Sequence, residues 1–274
     1  MPVTSAFGTD GSVVAAAVTC AALLVAAMVR CRNCSKLAGQ RPQTVQLLAE
    51  ASGCARLDWH RNGSSTRRGL RLVCISDTHG HHRELELPAG DVLIHAGDFT
   101  LHGKEEQARD FNAWLGEQPH RTKLVVLGNH ENNSGWNKSA AELLSNATLL
   151  RQSGCHVKVK GSEDLRVFGT DFFWPCPSGN PNFAEIPLDT DVLIAHGPAL
   201  GCADGGRGCP SLLEAVQRIK PELVVSGHVH FARGAASLQL ARGGHGPTIL
   251  LNAANCGSGK LERALAGGPI IVDI

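Results

Sequence analysis

Two histidines separated by one residue, His228 and His230, follow an apolar run and a glycine in the stretch VVSGHVH. A strand end that presents paired imidazoles can form one edge of a metal site when other ligand types converge on it. Similar arrangements recur along the chain. LRLVCIS runs into Asp77 and His79, DVLIHAG into Asp98, KLVVLG into Asn129, His130 and Glu131, and DVLIA into His196. Five apolar runs therefore end in Asp, Asn or His side chains, and none ends in a thiolate. The oxygens of Asp77, Asp98 and Asn129 with the imidazoles of His79, His196, His228 and His230 are too many for one ion. They suit two ions sharing a carboxylate bridge. Mixed nitrogen and oxygen ligation favours Mn, Fe, Zn or Ni over Ca, with Mn the cation expected to serve in vitro. Gly97, Gly128 and Gly227 stand just before ligand positions, where they let the backbone turn sharply and approach closely.

The runs that must hold these residues are continuous and rich in β-branched side chains, as strands buried on both faces are. They cover 70–76, 91–97, 123–128, 164–169, 191–197, 222–227, 248–253 and 269–274. Helical spacing appears between some of them. Ala108, Phe111, Trp114 and Leu115 mark one helix over 104–118. Leu212, Leu213, Val216 and Ile219 mark another over 209–220, with Pro210 in its first turn. Strands alternating with helices predict a layered α/β fold, whose ligands bind beyond the carboxyl ends of the strands.

Composition narrows the class. The chain has 274 residues, 43% of them apolar, and a net charge of +1. That is enough for a sizeable core and offers no basic stripe for nucleic acid. With no Tyr and 4% aromatic residues it lacks the material of a base-stacking platform. Its ten cysteines show no disulfide-framework or zinc-finger spacing.

The ordered series D77-T-H79, G97-D98, G128-N129-H130-E131, H196 and G227-H228-V229-H230 resembles the motif series of the calcineurin-like metallophosphoesterase superfamily. The accompanying DVLIHAGDFT, AHGPALG, GCPSLLE and LLNAANC are similar to its small phosphodiesterase branch of metallophosphoesterase-domain-containing proteins. The likeness covers residues 70–274. It implies a β-sandwich flanked by helices in four α/β/β/α layers. It also implies that Asp77, His79 and His230 hold one cation, that Asn129, His196 and His228 hold the other, and that Asp98 bridges them. His130 is the implied general acid, and Glu131 reads as a residue that orients its neighbours. The expected activity is hydrolysis of phosphate esters, most of all phosphodiesters of small molecules with nucleotides among the candidates, by attack of metal-bound hydroxide. The rival readings are a nuclease of the same superfamily, which would need a basic groove, and a non-catalytic metal- or nucleotide-binding module, which would have shed a ligand or the acid. A phosphoprotein phosphatase would add arginines beside the motifs, and Arg109 and Arg121 stand away from them. His81 and His82 read as exposed, and His95 as a core histidine.

Residues 1–69 are different material. Residues 12–29, SVVAAAVTCAALLVAAMV, approach the length of a membrane span, and Arg30, Arg32, Lys36 and Arg41 follow. The positive-inside rule then places the catalytic domain on the cytosolic side of an anchored protein, with Cys31 and Cys34 placed for palmitoylation. The alternative is organelle delivery through a cleaved presequence. Residues 31–69, basic and without sustained period, read as a linker, and the domain as 70–274.

Overall fold

The computed structural model describes residues 42–49, 54–57, 69–174, 176–240, 246–259 and 264–274. The apolar segment 12–29 and the two cysteines after it lie outside the described residues. Among the described residues no helix is long and apolar enough to cross a membrane.

Two seven-stranded sheets face each other. The first runs β1 (Gln43–Val45), β12 (Gly234–Leu238), β13 (Thr248–Asn252), β11 (Leu223–Ser226), β10 (Val192–Ile194), β9 (Leu165–Gly169), β8 (Ser153–Val157). The second runs β2 (Leu48–Ala49), β3 (Ala55–Leu57), β14 (Ile270–Asp273), β4 (Arg71–Ile75), β5 (Val92–His95), β6 (Thr122–Val125), β7 (Thr148–Leu149). The central strands β9, β10, β11 and β13 are mutually parallel, as are β4, β5, β6 and β7. Each row therefore brings its carboxyl ends to one side, which gathers loops far apart in sequence.

Side-chain alternation builds the layers. Leu72, Cys74, Ile94 and Leu124 point inward from one sheet and meet Ile194, Val225 and Leu251 from the other. Val73, Ile75 and Leu93 point outward and pack under Phe111, Trp114 and Leu115 of α1 (Glu105–Glu117). On the opposite outer face, Leu193, Val224 and Leu250 pack under Leu212, Leu213 and Val216. These last belong to a second long helix, α5 (Pro210–Ile219). Shorter helices are α2 (Asn129–Asn132), α3 (Ala140–Leu143) and α4 (Pro181–Ala184). The result is the layered α/β fold that the pattern of runs predicts, in the four-layer α/β/β/α form that the family resemblance implies. Both long helices and all eight strand runs fall where the sequence puts them.

Strands β7, β8 and β12 fall outside those runs, and the segment read as linker differs most. Parts of 31–69 supply β1, which pairs with β12, β3, which pairs with β14, and β2, which pairs with β3. Leu57 is buried in the core between the sheets, and the Arg56 guanidinium donates to Asp273 at 2.9 Å. Strands of two or three residues are too short to impose a period on basic, polar text, so the sequence gives no sign of them.

This packing yields a first test. Leu57→Ala in the full chain removes a buried side chain from the inter-sheet core and should lower stability by about 2–4 kcal/mol. Urea denaturation followed by circular dichroism measures it. A change below about 0.5 kcal/mol, the scale of an exposed substitution, would return this segment to the linker reading.

Candidate metal centre

The ligand-type residues sit on turns that leave the strands abruptly. Asp77 follows β4, Asp98 follows β5, Asn129 follows β6, His196 follows β10 and His228 follows β11. Three of these turns carry residues in the left-handed region: Asp77 at φ 52° and His79 at 44° after β4, Asp98 at 56° after β5 and His228 at 64° after β11. That conformation is unfavourable for residues with a Cβ, and it clusters where a surrounding structure over-determines the backbone. The turns are also tied together. Asp77 N–H donates to Gly97 O, His79 N–H to Asp98 O, and Cys256 N–H to Asp77 O.

The imidazoles share one device. His79 Nδ1 lies 3.2 Å from Thr100 O, His130 Nδ1 2.6 Å from Leu101 O, His196 Nδ1 2.7 Å from Ala96 O and His230 Nδ1 2.6 Å from Gly257 O. A carbonyl oxygen can only accept, so each Nδ1 carries the hydrogen. The lone pair of a neutral ring is then left on Nε2, the second-shell arrangement that metal-ligating histidines use.

Those Nε2 atoms converge on carboxylates. His230 Nε2 stands 3.0 Å from Asp77 Oδ1 and 3.3 Å from His79 Nε2. His196 Nε2 stands 3.2 Å from both Asp98 Oδ2 and Asn129 Oδ1. Three overlapping sets of potential ligand atoms result, each set within 4.8 Å: Asp77, His79 and His230; His79, Asp98 and His130; Asp98, His196 and His228. Asp98 takes part in two of the three, the place a bridging carboxylate would hold.

A calcineurin-like phosphoesterase profile matches residues 70–232. The chain belongs to the calcineurin-like phosphoesterase family. A UPF0046 protein of Caenorhabditis elegans is 38% identical over 221 residues, covering 70% of this chain and 71% of its own length. The Homo sapiens protein called metallophosphoesterase domain-containing protein 1 is 32% identical over 245 residues, covering 74% and 71%. Among solved structures, the phosphopantetheinyl hydrolase of Mycobacterium tuberculosis aligns at 14% identity and TM-score 0.48 over 72% of this chain and 93% of that one. The family assignment does not rest on that structure. A calcineurin-like phosphoesterase is a metal-dependent hydrolase of phosphate esters.

The residues present fit divalent cations. Asp77 and Asp98 are 0% and 2% exposed, and buried carboxylates need compensating positive charge. Burial pushes both carboxyls up, but the imidazoles outweigh it, His196 foremost, and hold both below the usual carboxylate range. Burial pushes His196 down, yet Asp98 and Asp77 raise it to about 10. Around the phosphoesterase carboxylates a proton on His196 is thus strongly favoured, and a cation does the same electrostatic work with more charge. Burial and then His196 take His228 down to about 4, so its ring is a neutral donor.

The glycines complete the cradle. A Cβ on Gly128 would run into Asp98 Oδ1, and one on Gly227 into Asp77 Oδ2 and Ser76 Oγ. One on Gly97 would stand 2.7 Å from His196 Nδ1, and Gly97 itself has φ 99°. Glu131, 0% exposed, accepts from the backbone N–H groups of Asp98, Gly128 and Thr100 and from Thr100 Oγ1. It is thereby the organiser of the Asp98 turn. Burial first and the charge of Asp98 second push its carboxyl up to about 7.

All of the candidate ligands meet at this centre, with His130 and Glu131 beside them. The remaining histidines divide. His82 is buried and not exposed: its ring packs against Phe111 and Trp114, and its Nε2 meets Asp110 at 3.0 Å. A short helical turn folds it back onto α1, which the dipeptide HH gives no hint of. Sequence reasoning missed Phe172 and Trp174. The Phe172 ring lies 5.3 Å from His196 and 5.2 Å from His228, and Trp174 lies 4.9 Å from His228. Their signal was available, since DFFW follows the run at 164–169 just as the ligand turns follow theirs.

Gly128→Ala tests the cradle. The methyl group must displace the Asp98 carboxylate, so bound Mn²⁺ and phosphoesterase activity should fall by at least about 100-fold, the upper end of outer-shell effects. Far-ultraviolet circular dichroism should stay unchanged. Elemental analysis after gel filtration reads the metal, and wild-type occupancy in the variant would show that the turn tolerates a Cβ.

Proposed function

We propose that the chain hydrolyses small-molecule phosphodiesters, with nucleotides among the candidates, at a centre of two divalent cations. Asp77, His79 and His230 hold one, Asn129, His196 and His228 the other, and Asp98 bridges them. Bound there, the cations would supply Lewis-acid charge to the phosphate and make a hydroxide nucleophile available at neutral pH.

His130 carries the assignment of the acid. Its Nδ1 is committed to Leu101 O, and its Nε2 faces Asp98 Oδ2 at 3.8 Å. Its backbone N–H donates to Asp98 Oδ1, which locks its turn to the bridging position. A ring held by one nitrogen at the rim of the centre presents the other to a leaving oxygen. Acting as an imidazolium, the ring gives its Nε2 proton to that oxygen and is left neutral with its hydrogen on Nδ1, donated to Leu101 O. Phe172 and Trp174 form an apolar wall on the His228 side, where they restrict water and orient the ester substituent. Asp98 has to remain ionised throughout, and the four hydrogen bonds to Glu131 keep its turn in place.

Residues 12–29 are proposed as a membrane anchor that leaves the catalytic domain on the cytosolic side, on the strength of their apolar run and the arginines behind it. A fluorescent fusion of residues 1–69 tests this, and release of a shortened soluble fusion inside an organelle would favour the presequence instead.

Three measurements test the reaction. Protein stripped with EDTA should lose activity and regain it with Mn²⁺, with close to two ions per chain by elemental analysis, and a reproducible ratio of one or less removes the two-cation reading. Asp98→Asn should abolish most activity even with excess Mn²⁺. His130→Ala should slow an alkoxide-leaving diester by about 10²–10⁴-fold, the range of general acid help. Bis-p-nitrophenyl phosphate should suffer much less, because nitrophenolate leaves without a proton. Equal slowing of both esters at full metal occupancy would reject the acid role, and lost metal would make His130 a ligand, as its place beside His79 and Asp98 allows.

A further inference from the structure

We propose that His95 is a positioning residue for the metal centre, pinning the turn that carries Asp77 and His79 to the turn that carries Asp98. The inference rests on the metal-centre reading above. His95 ends β5 and is 0% exposed, and it is no candidate ligand itself. Its two nitrogens serve two different turns. Gly97 N–H donates to Nδ1 at 3.2 Å, and Thr78 Oγ1 lies 3.0 Å from Nε2. Because Nδ1 is occupied as an acceptor, the hydrogen sits on Nε2, which donates to the Thr78 hydroxyl. This is the opposite tautomer to that of His79, His130, His196 and His230, whose Nδ1 atoms face carbonyls. A ligand presents a bare Nε2, whereas His95 uses both nitrogens inside the protein.

Both partners need it. Thr78 is 0% exposed and lies between two candidate ligands, each with positive φ. Gly97, at φ 99°, precedes Asp98 and points its N–H back toward the strand end. Without the ring, a buried hydroxyl and a buried amide would lose their partner in the one place where two turns must keep a fixed separation. The ring is itself held edge-on by Phe111 at 4.9 Å and Phe99 at 5.8 Å, so it cannot swing away. Burial pushes its pKa down to about 3, which keeps it neutral. Outer-shell partners of this kind set metal affinity without touching the metal.

The test uses the full chain titrated with Mn²⁺ by calorimetry, with thermal melts in EDTA and kinetics on bis-p-nitrophenyl phosphate. His95→Phe keeps the aromatic packing and removes both hydrogen bonds. It should weaken Mn²⁺ binding by about 10–100-fold, and saturating Mn²⁺ should restore kcat to within a few-fold at unchanged KM. Thr78→Val should weaken binding in the same direction, and the double variant should be no worse than the weaker-binding single, because the two residues act as one link. Should His95→Phe fail to melt cooperatively, His95→Leu, which also lacks both polar atoms, is read by the same criterion. Mn²⁺ affinity within twofold of wild type, or defects that multiply in the double variant, overturns the proposal and leaves His95 as core packing. A wild-type chain that binds no Mn²⁺ overturns the metal-centre reading itself, a distinguishable result.

Discussion

Two carboxylates held out of water at neighbouring turns are the constraint on which this structure depends. Asp77 and Asp98 are each wholly buried, and the charge of Asp77 works against ionisation of Asp98. Left to themselves, one of them would take up a proton. The surrounding imidazoles prevent it, and they can do so only from fixed positions. Those positions come from the backbone: four Nδ1–H groups engage four carbonyls, and each ring is thereby aimed. The carbonyls of residues 96, 100 and 101 flank Asp98, and the fourth, of residue 257, lies in the loop after β13. The Asp98 turn thus supplies most of the groups that orient the rings.

Such crowding has a conformational cost. Four residues with side chains sit in the left-handed region, at roughly 1–3 kcal/mol each for sparsely populated backbone. Gly128 and Gly227 forgo side-chain packing so that carboxylates can approach the backbone, and Gly97 so that the His196 ring can. Glu131 shows how the cost is met. One buried carboxylate gathers four donors from the Asp98 turn and the neighbouring Thr100, and its own charge is tolerable only because those donors surround it. The parallel strands beneath do the rest. Each is covered on both faces and cannot relax to ease its turn.

These physical demands explain which parts were legible in the sequence. The candidate ligands were, because a strand buried on both faces writes itself as an unbroken apolar run, and a polar Asp or His directly after such a run has no packing reason to be there. The two long helices were legible through their apolar spacing. Strands β1 to β3 were not, since three or fewer residues carry no period, and β1 and β3 find partners far along the chain in β12 and β14. Nor was β12, whose GAASL is small and weakly apolar, although every residue after its glycine is buried. His82 and His95 show the limit for single residues. The apolar run DVLIHAG announced the burial of His95 but not its tautomer or its partners, and in SDTHGHH nothing announced the burial of His82. Phe172 falls between these cases. Its position after a strand was visible, but its chemistry, an apolar ring beside imidazoles, does not announce a ligand.

The centre also belongs to both sheets at once. Asp77, His79, Asp98 and Asn129 come from the turns of one, and His196, His228 and His230 from the other. The links between them are short and direct: His196 Nδ1–H to Ala96 O, His228 N–H to the Asp77 carboxylate, and Asn255 N–H to Ser76 O. Ser76 and Ala254 even form an isolated bridge across the gap. Neither sheet alone contains a complete ligand set, so the centre exists only when the sandwich is closed. Cations that bind the assembled centre and not the separated turns would therefore hold the sheets together at this end, and their binding energy would become folding energy. Stability at the carboxyl ends and metal occupancy would then be two readings of one equilibrium, which would offset the cost of the strained turns.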